Sequence, residues 1–156
     1  MQSLLIADLS ETFAFGHRLG ELLFPGAVIA LIGQLGAGKT HLTRAIAEGL
    51  KIPNSRVVNS PTFVLIQEYS ARLPIYHFDA YRLPNAESFH QLGVEEYFFG
   101  EGVCLVEWAD RVEAAMPEEH LRIEIEIIDE NRREMHMTPF GGQYEELLRQ
   151  IISRRE

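Results

Sequence analysis

Gly33-Gln34-Leu35-Gly36-Ala37-Gly38-Lys39-Thr40 is the stretch that decides the fold. Two glycines separated by four residues, then Lys and Thr, make the phosphate-loop pattern. The flanks supply the context. Val28–Ile32 is a run of apolar residues that reads as a buried strand, and the residues after the loop read as a helix. In a strand–loop–helix of this kind, backbone N–H groups point inward at phosphate oxygens and the helix N-terminus adds partial positive charge. Gly33, Gly36 and Gly38 let the backbone come close, with Ala37 between them. Lys39 is placed to reach the β- and γ-phosphates, and the Thr40 hydroxyl to hold Mg²⁺. A nucleoside triphosphate with Mg²⁺ is the expected ligand.

Working outward, Leu4–Ala7 reads as a short strand, and Ser10 as the cap of a helix running to about Phe24. After the loop, Leu42, Ile46 and Leu50 form one apolar stripe on a helix over about 39–50. Phe63–Tyr69 and Ile75–Phe78 read as a hairpin turning around Ala71–Pro74. A short helix is expected over Pro84–Gln91, a buried strand over Val103–Val106 and a helix over Ala109–Ala115. Leu121, Ile123, Ile125 and Ile127 alternate with Arg122, Glu124 and Glu126, the mark of a half-buried strand. Asp129-Glu130-Asn131 turns it into Arg133–Thr138, a second hairpin, and a helix bearing Tyr144, Leu147, Leu148 and Ile151 follows Gly141-Gly142. Helices alternating with buried strands give the α/β class. The two hairpins make the central sheet mixed and the architecture P-loop NTPase-like, with helices flanking the sheet and antiparallel strands added to it. No repeat or linker divides residues 1–156, so one domain is expected.

Composition narrows the function classes. The chain has 156 residues, 46% hydrophobic and 24% charged, which is ordinary globular usage. Its formal net charge is −9, and basic residues cluster only at Arg132-Arg133 and Arg154-Arg155. Such a surface repels nucleic-acid phosphates, so direct binding to RNA is disfavoured and a protein partner is favoured. Apolar runs such as Gly26–Ile32 are too short to span a bilayer, and Met1-Gln2-Ser3-Leu4 carries no basic leader. The lone Cys104, in an apolar run, fits a reducing cytosol and a buried, inert thiol. None of the six histidines has metal-ligand spacing, and all read as surface or packing residues. Tyr97-Phe98-Phe99 reads as core packing.

A phosphate loop needs a second acid at a neighbouring strand end to complete the Mg²⁺ shell. Two compete. Leu105-Val106-Glu107 has a slight edge, because its strand is more uniformly apolar and so more central; Ile75-Tyr76-His77-Phe78-Asp79 is the other. Trp108 follows Glu107 and could pack beside the nucleotide or in the core. Ser60-Pro61-Thr62-Phe63 lies where many nucleotide hydrolases keep a Thr that senses the γ-phosphate, but it also fits a proline turn starting a strand. Asp79-Ala80-Tyr81-Arg82 could orient a water or form a structural ion pair.

Taken in series, the loop, Ser60-Pro61-Thr62-Phe63, Tyr76-His77-Phe78-Asp79-Ala80-Tyr81-Arg82-Leu83 and Leu105-Val106-Glu107-Trp108-Ala109 resemble one family. It is the bacterial ATPase family of tRNA threonylcarbamoyladenosine biosynthesis, called TsaE. The resemblance covers most of the chain, from about Leu4 to the Arg132 region. It implies a cytoplasmic Mg²⁺-dependent ATPase that works with TsaB-like and TsaD-like proteins and meets tRNA only through that assembly. By matching motif it implies that Lys39 holds phosphates and that Thr40 and Glu107 hold Mg²⁺. It also implies functional positions at Asp79, Thr62 and Trp108, and nucleotide contacts within reach of Thr12 and Arg132. Two residues depart from the family. Gln34 replaces the usual acid. His41 replaces a Thr or Ser, so a hydroxyl contact to the α-phosphate is lost while the His41 N–H remains. A small-molecule or nucleoside kinase and a nucleotide-gated binding module are the alternatives that the residues leave open.

Overall fold

The computed structural model describes residues 1–34, 36–59 and 66–155. Among them, seven strands form one sheet in the order β1-β7-β6-β2-β5-β4-β3. The strands are β1 (Gln2–Ile6), β2 (Val28–Gly33), β3 (Ile66–Tyr69), β4 (Ile75–Asp79), β5 (Val103–Glu107), β6 (His120–Ile127) and β7 (Arg133–Phe140). The central four, β4, β5, β2 and β6, run parallel. β3 joins β4, β7 joins β6 and β1 joins β7, each antiparallel. The expected mixed α/β sheet with two added hairpins is therefore observed.

Side-chain alternation sorts the strands between two cores. Ile29 and Leu31 of β2 and Leu105 of β5 face one side, with Leu121, Ile123 and Ile125 of β6. That side is covered by α1 (Leu9–Leu22), α2 (Lys39–Gly49) and α5 (Gly142–Arg155). Val28, Ala30 and Ile32 of β2, with Cys104 and Val106 of β5, face the other. There α3 (Ala86–His90), α4 (Val94–Phe98) and the 3₁₀ segment Ala109–Ala115 supply the cover. β2 and β5 are buried on both faces, which is why they read as unbroken apolar runs. β6 is buried on one face and keeps the alternation seen in sequence. No helix among the described residues is long and apolar enough to cross a membrane.

Several local expectations are corrected. The first helix is capped by Asp8, whose carboxylate accepts from the Glu11 N–H, and Ser10 lies inside it. An extended Asp8 satisfies a first-turn donor equally well two residues earlier. Residues 109–115 form two 3₁₀ turns kinked at Val112, not an α-helix. The short helix α4 holds Phe98 in the core and was not expected. β7 extends through Pro139, which is tolerated because β1 pairs only as far as Met137 and leaves β7 an edge beyond it. Phe63, where the third strand was expected to begin, lies outside the described residues.

α1 and α2 approach closely because glycines line their contact. A Cβ built at Gly20 would lie 2.2 Å from the Ile46 carbonyl oxygen, and one at Gly49 would lie 2.1 Å from that of His17. Arg72, in the β3–β4 turn, donates to the carbonyls of Gly20 at 2.9 Å and Leu23 at 3.0 Å. That places a cation at the negative end of α1. Gly20→Ala should push the helices apart and cost about 2 kcal/mol, the usual scale of overpacking. Gly142→Ala, where a Cβ meets open space, should be neutral or mildly stabilising; urea melts of the two variants check this. Cys104 is fully buried, and burial pushes its thiol up to about 12. At pH 8 it should resist a thiol reagent in the folded protein and react at once in denaturant.

Candidate nucleotide site

The register of the parallel strands brings the site together. Glu107 sits opposite Leu31 of β2, two residues before Gly33, and opposite Asp79 of β4. The carboxyl ends of β2, β4 and β5 thus meet at the loop, where open α/β sheets form their crevices. Period-two alternation turns His77, Asp79 and Glu107 to the same face as Ile75 and Leu105, the face covered by α2.

Gly36 and Gly38 hold φ of +84° and +110°, and a Cβ at either would meet nothing within 4 Å. Space is thus open along the loop on the side where those side chains would stand. Arg133, the first residue of β7, supports the loop. Its Nε donates to the Ala37 carbonyl at 3.1 Å and its Nη2 to that of Gly36 at 3.4 Å. Those carbonyls are drawn to the guanidinium, while the Ala37 N–H closes a turn onto the Gln34 carbonyl at 3.0 Å. Gly38 then opens α2, whose first-turn N–H groups have no intrahelical acceptor.

Lys39 is 5% exposed. Its Nζ donates to the carbonyls of Gly33 at 2.6 Å and Gln34 at 3.0 Å, and lies 3.9 Å from the centroid of a Trp108 ring. Burial pulls the Lys39 ammonium below its usual range, while Glu107, Asp110 and Asp79 oppose that shift. The Thr40 hydroxyl donates to Glu107 Oε1 at 3.2 Å, with Oε2 at 3.4 Å. The other side of the Glu107 carboxylate meets His77, whose Nε2 lies 2.5 Å from Oε2. Asp79 accepts from the Tyr81 N–H at 2.9 Å. Trp108 adopts a left-handed backbone, φ +60°, uncommon for a residue with a side chain. Its ring packs on Tyr81 at 4.8 Å, and the Arg111 guanidinium lies over the Tyr81 ring at 5.0 Å.

A cavity of about 230 Å³ lies beside the loop, between Thr12, His41 and Arg133. Thr12 and His41 therefore reach the same space as Gly36, Ala37 and Gly38. Arg132 does not line it: its guanidinium turns back onto Asp129, 2.7 Å away. Two backbone N–H groups and that guanidinium hold the Asp129 carboxyl down to about 2. The neighbouring Arg133, at the start of β7, takes the place expected of Arg132, whose guanidinium is held within the turn by Asp129. Thr62 lies outside the described residues. His77, read from sequence as packing, touches the Glu107 carboxylate; its place two residues before Asp79 on the same strand face was the available signal.

The sequence profile of the family described as threonylcarbamoyl adenosine biosynthesis protein TsaE matches residues 6–135. The chain belongs to the TsaE family. It is 45% identical over 142 residues to the tRNA threonylcarbamoyladenosine biosynthesis protein TsaE of Bacillus subtilis, covering 90% of this chain and 87% of that one. With the protein of the same name from Treponema pallidum it shares 39% identity over 125 residues, 80% of this chain and 91% of the relative. Its structure is similar to the crystal structure of Bacillus subtilis YdiB, with a TM-score of 0.83 and 36% identity over 99% of this chain and 96% of the other. The TsaE resemblance read from the four motifs is thereby shown.

Within this TsaE-family chain, Arg133 and Arg132 should separate sharply. Arg133→Ala is expected to weaken ADP binding about tenfold, or about 1.4 kcal/mol, by freeing the loop carbonyls. Arg132→Ala should leave it within about twofold, a loss of under 0.5 kcal/mol. A calorimetric ADP titration of each variant checks this.

Proposed function

We propose that this chain binds ATP with Mg²⁺ and hydrolyses it for TsaB-like and TsaD-like partners. That assembly installs N6-threonylcarbamoyladenosine beside the anticodon of tRNAs. Membership of the TsaE family supports the pathway. The observation that carries the chemistry is the Thr40 hydroxyl paired with the Glu107 carboxylate at the mouth of a glycine loop. A hydroxyl and a carboxylate are hard oxygen donors of the kind Mg²⁺ takes, with phosphate oxygens and water completing its shell. The residues thus fit the ion. Held by Thr40 and Glu107, Mg²⁺ would supply charge neutralisation at the phosphate oxygens.

The chain's own residues do the rest. Lys39 exchanges the carbonyls of Gly33 and Gln34 for the β- and γ-phosphates. Those carbonyls are neutral acceptors, so phosphate oxygens compete well for the ammonium. The N–H groups of residues 36–41 take the phosphates, that of Ala37 giving up the Gln34 carbonyl it holds at 3.0 Å, and the sugar and base extend toward Thr12, His41 and Arg133. Trp108 shields the Lys39 ammonium from water. Asp79, opposite Glu107, orients the attacking water, with Thr62 as the candidate sensor of the γ-phosphate. The net charge of −9 favours protein partners, with tRNA reached through them. A single domain working in the cytoplasm is part of the same reading.

Thr40→Ala and Glu107→Ala should each lower Mg²⁺-dependent phosphate release about 100-fold or more, the scale of losing one transition-state contact. Unchanged rates in both would sink the site. Label from the γ-phosphate should appear in inorganic phosphate; label in a nucleoside acceptor would make the chain a kinase.

A further inference from the structure

His77 has no exposed surface and stands on β4 between Leu105 of β5 and Gln67 of β3. Its Nε2 meets Glu107 Oε2 at 2.5 Å, so Nε2–H is the donor and the carboxylate the acceptor. Its Nδ1 is buried without a hydrogen-bond partner among the described residues. The Tyr69 ring, 6.4 Å away, is its aromatic neighbour. A buried orphan nitrogen costs on the order of 1–3 kcal/mol, a cost that an apolar side chain of similar size avoids. Packing alone is therefore poorly served by an imidazole here.

What the imidazole does serve is Glu107. A carboxylate at a strand end can turn about its side-chain bonds and exchange its two oxygens. With Oε2 held by His77, Oε1 is the oxygen nearer the Thr40 hydroxyl, at 3.2 Å against 3.4 Å. We propose that His77 is a positioning residue, locking Glu107 so that Oε1 and Thr40 Oγ1 are presented together to the divalent cation that accompanies the nucleotide. The inference rests on the Mg²⁺–nucleotide reading above and adds to it the group that sets how strongly the cation is held. Outer partners of metal-binding carboxylates commonly carry about 10- to 100-fold in metal affinity.

The experiment titrates ADP calorimetrically at stepped Mg²⁺ concentrations, starting from a chelator, in the parent, His77→Leu and His77→Gln, with melting temperatures for all three. Leu keeps the volume and removes the donor. Gln restores a donor near Nε2. The expected result is that His77→Leu, still folded by its melting curve, binds ADP within about twofold of the parent without Mg²⁺, but needs roughly tenfold more Mg²⁺ to tighten ADP. His77→Gln should recover most of that Mg²⁺ response. Parent-like Mg²⁺ dependence in His77→Leu would overturn the proposal. So would an equal loss of Mg²⁺-free and Mg²⁺-bound affinity in both variants. A parent whose ADP affinity ignores Mg²⁺ would instead overturn the Mg²⁺ site of the proposed function, and the role of His77 with it.

Discussion

The parallel pairing of β2 with β5, and of β5 with β4, is the constraint on which the rest of the molecule depends. It fixes Glu107 opposite Leu31 and Asp79 opposite Glu107, so two acids arrive where the loop leaves β2. Alternation then decides the face. His77, Asp79 and Glu107 share the side of Ile75 and Leu105, the side on which α2 presents Lys39 and Thr40. A slip of one residue in β5 would turn Glu107 toward the core of Phe78 and Phe89 and leave Thr40 without its carboxylate.

The site is expensive to keep in a folded chain. Lys39, His77 and Glu107 are all buried, and buried charge is tolerated only where it is paired. The partners present are local: loop carbonyls for Lys39, the Thr40 hydroxyl and His77 imidazole for Glu107. Arg133 completes the arrangement from outside by taking the carbonyls of Gly36 and Ala37. Each interaction orients a polar group toward the loop and stabilises no apolar core. The strained backbone of Trp108, which carries the ring over Lys39, has the same character.

Much of this was legible in sequence, for physical reasons. The loop is a local pattern whose glycines and lysine act within one turn of chain. Glu107 could be preferred over Asp79 because a strand buried on both faces shows as an unbroken apolar run. The α/β class and both hairpins followed from alternation and turn residues. What escaped depends on long-range geometry. Whether Arg132 or Arg133 faces the loop is set by the path of a turn, and adjacent arginines look alike in sequence. His77 lacked any metal-ligand spacing, and its partner lies 30 residues away on another strand. Asp8 and Ser10 are equally good caps by type, and only the helix start distinguishes them. The short helix α4 has too few residues for periodicity to mark it.

Family membership ties this chain to tRNA threonylcarbamoyladenosine synthesis, and the function proposed above has the loop act on protein partners. We propose that hydrolysis resets that assembly between rounds of modification carried out on the TsaD-like protein. The most direct test counts modified adenosines formed per TsaD-like protein in a reconstituted reaction holding TsaB- and TsaD-like proteins, substrate tRNA and ATP. With this chain, modification should continue well past one adenosine per TsaD-like protein, and Glu107→Gln in this chain should halt it near one. Continued turnover at an equal rate with Glu107→Gln would contradict the account.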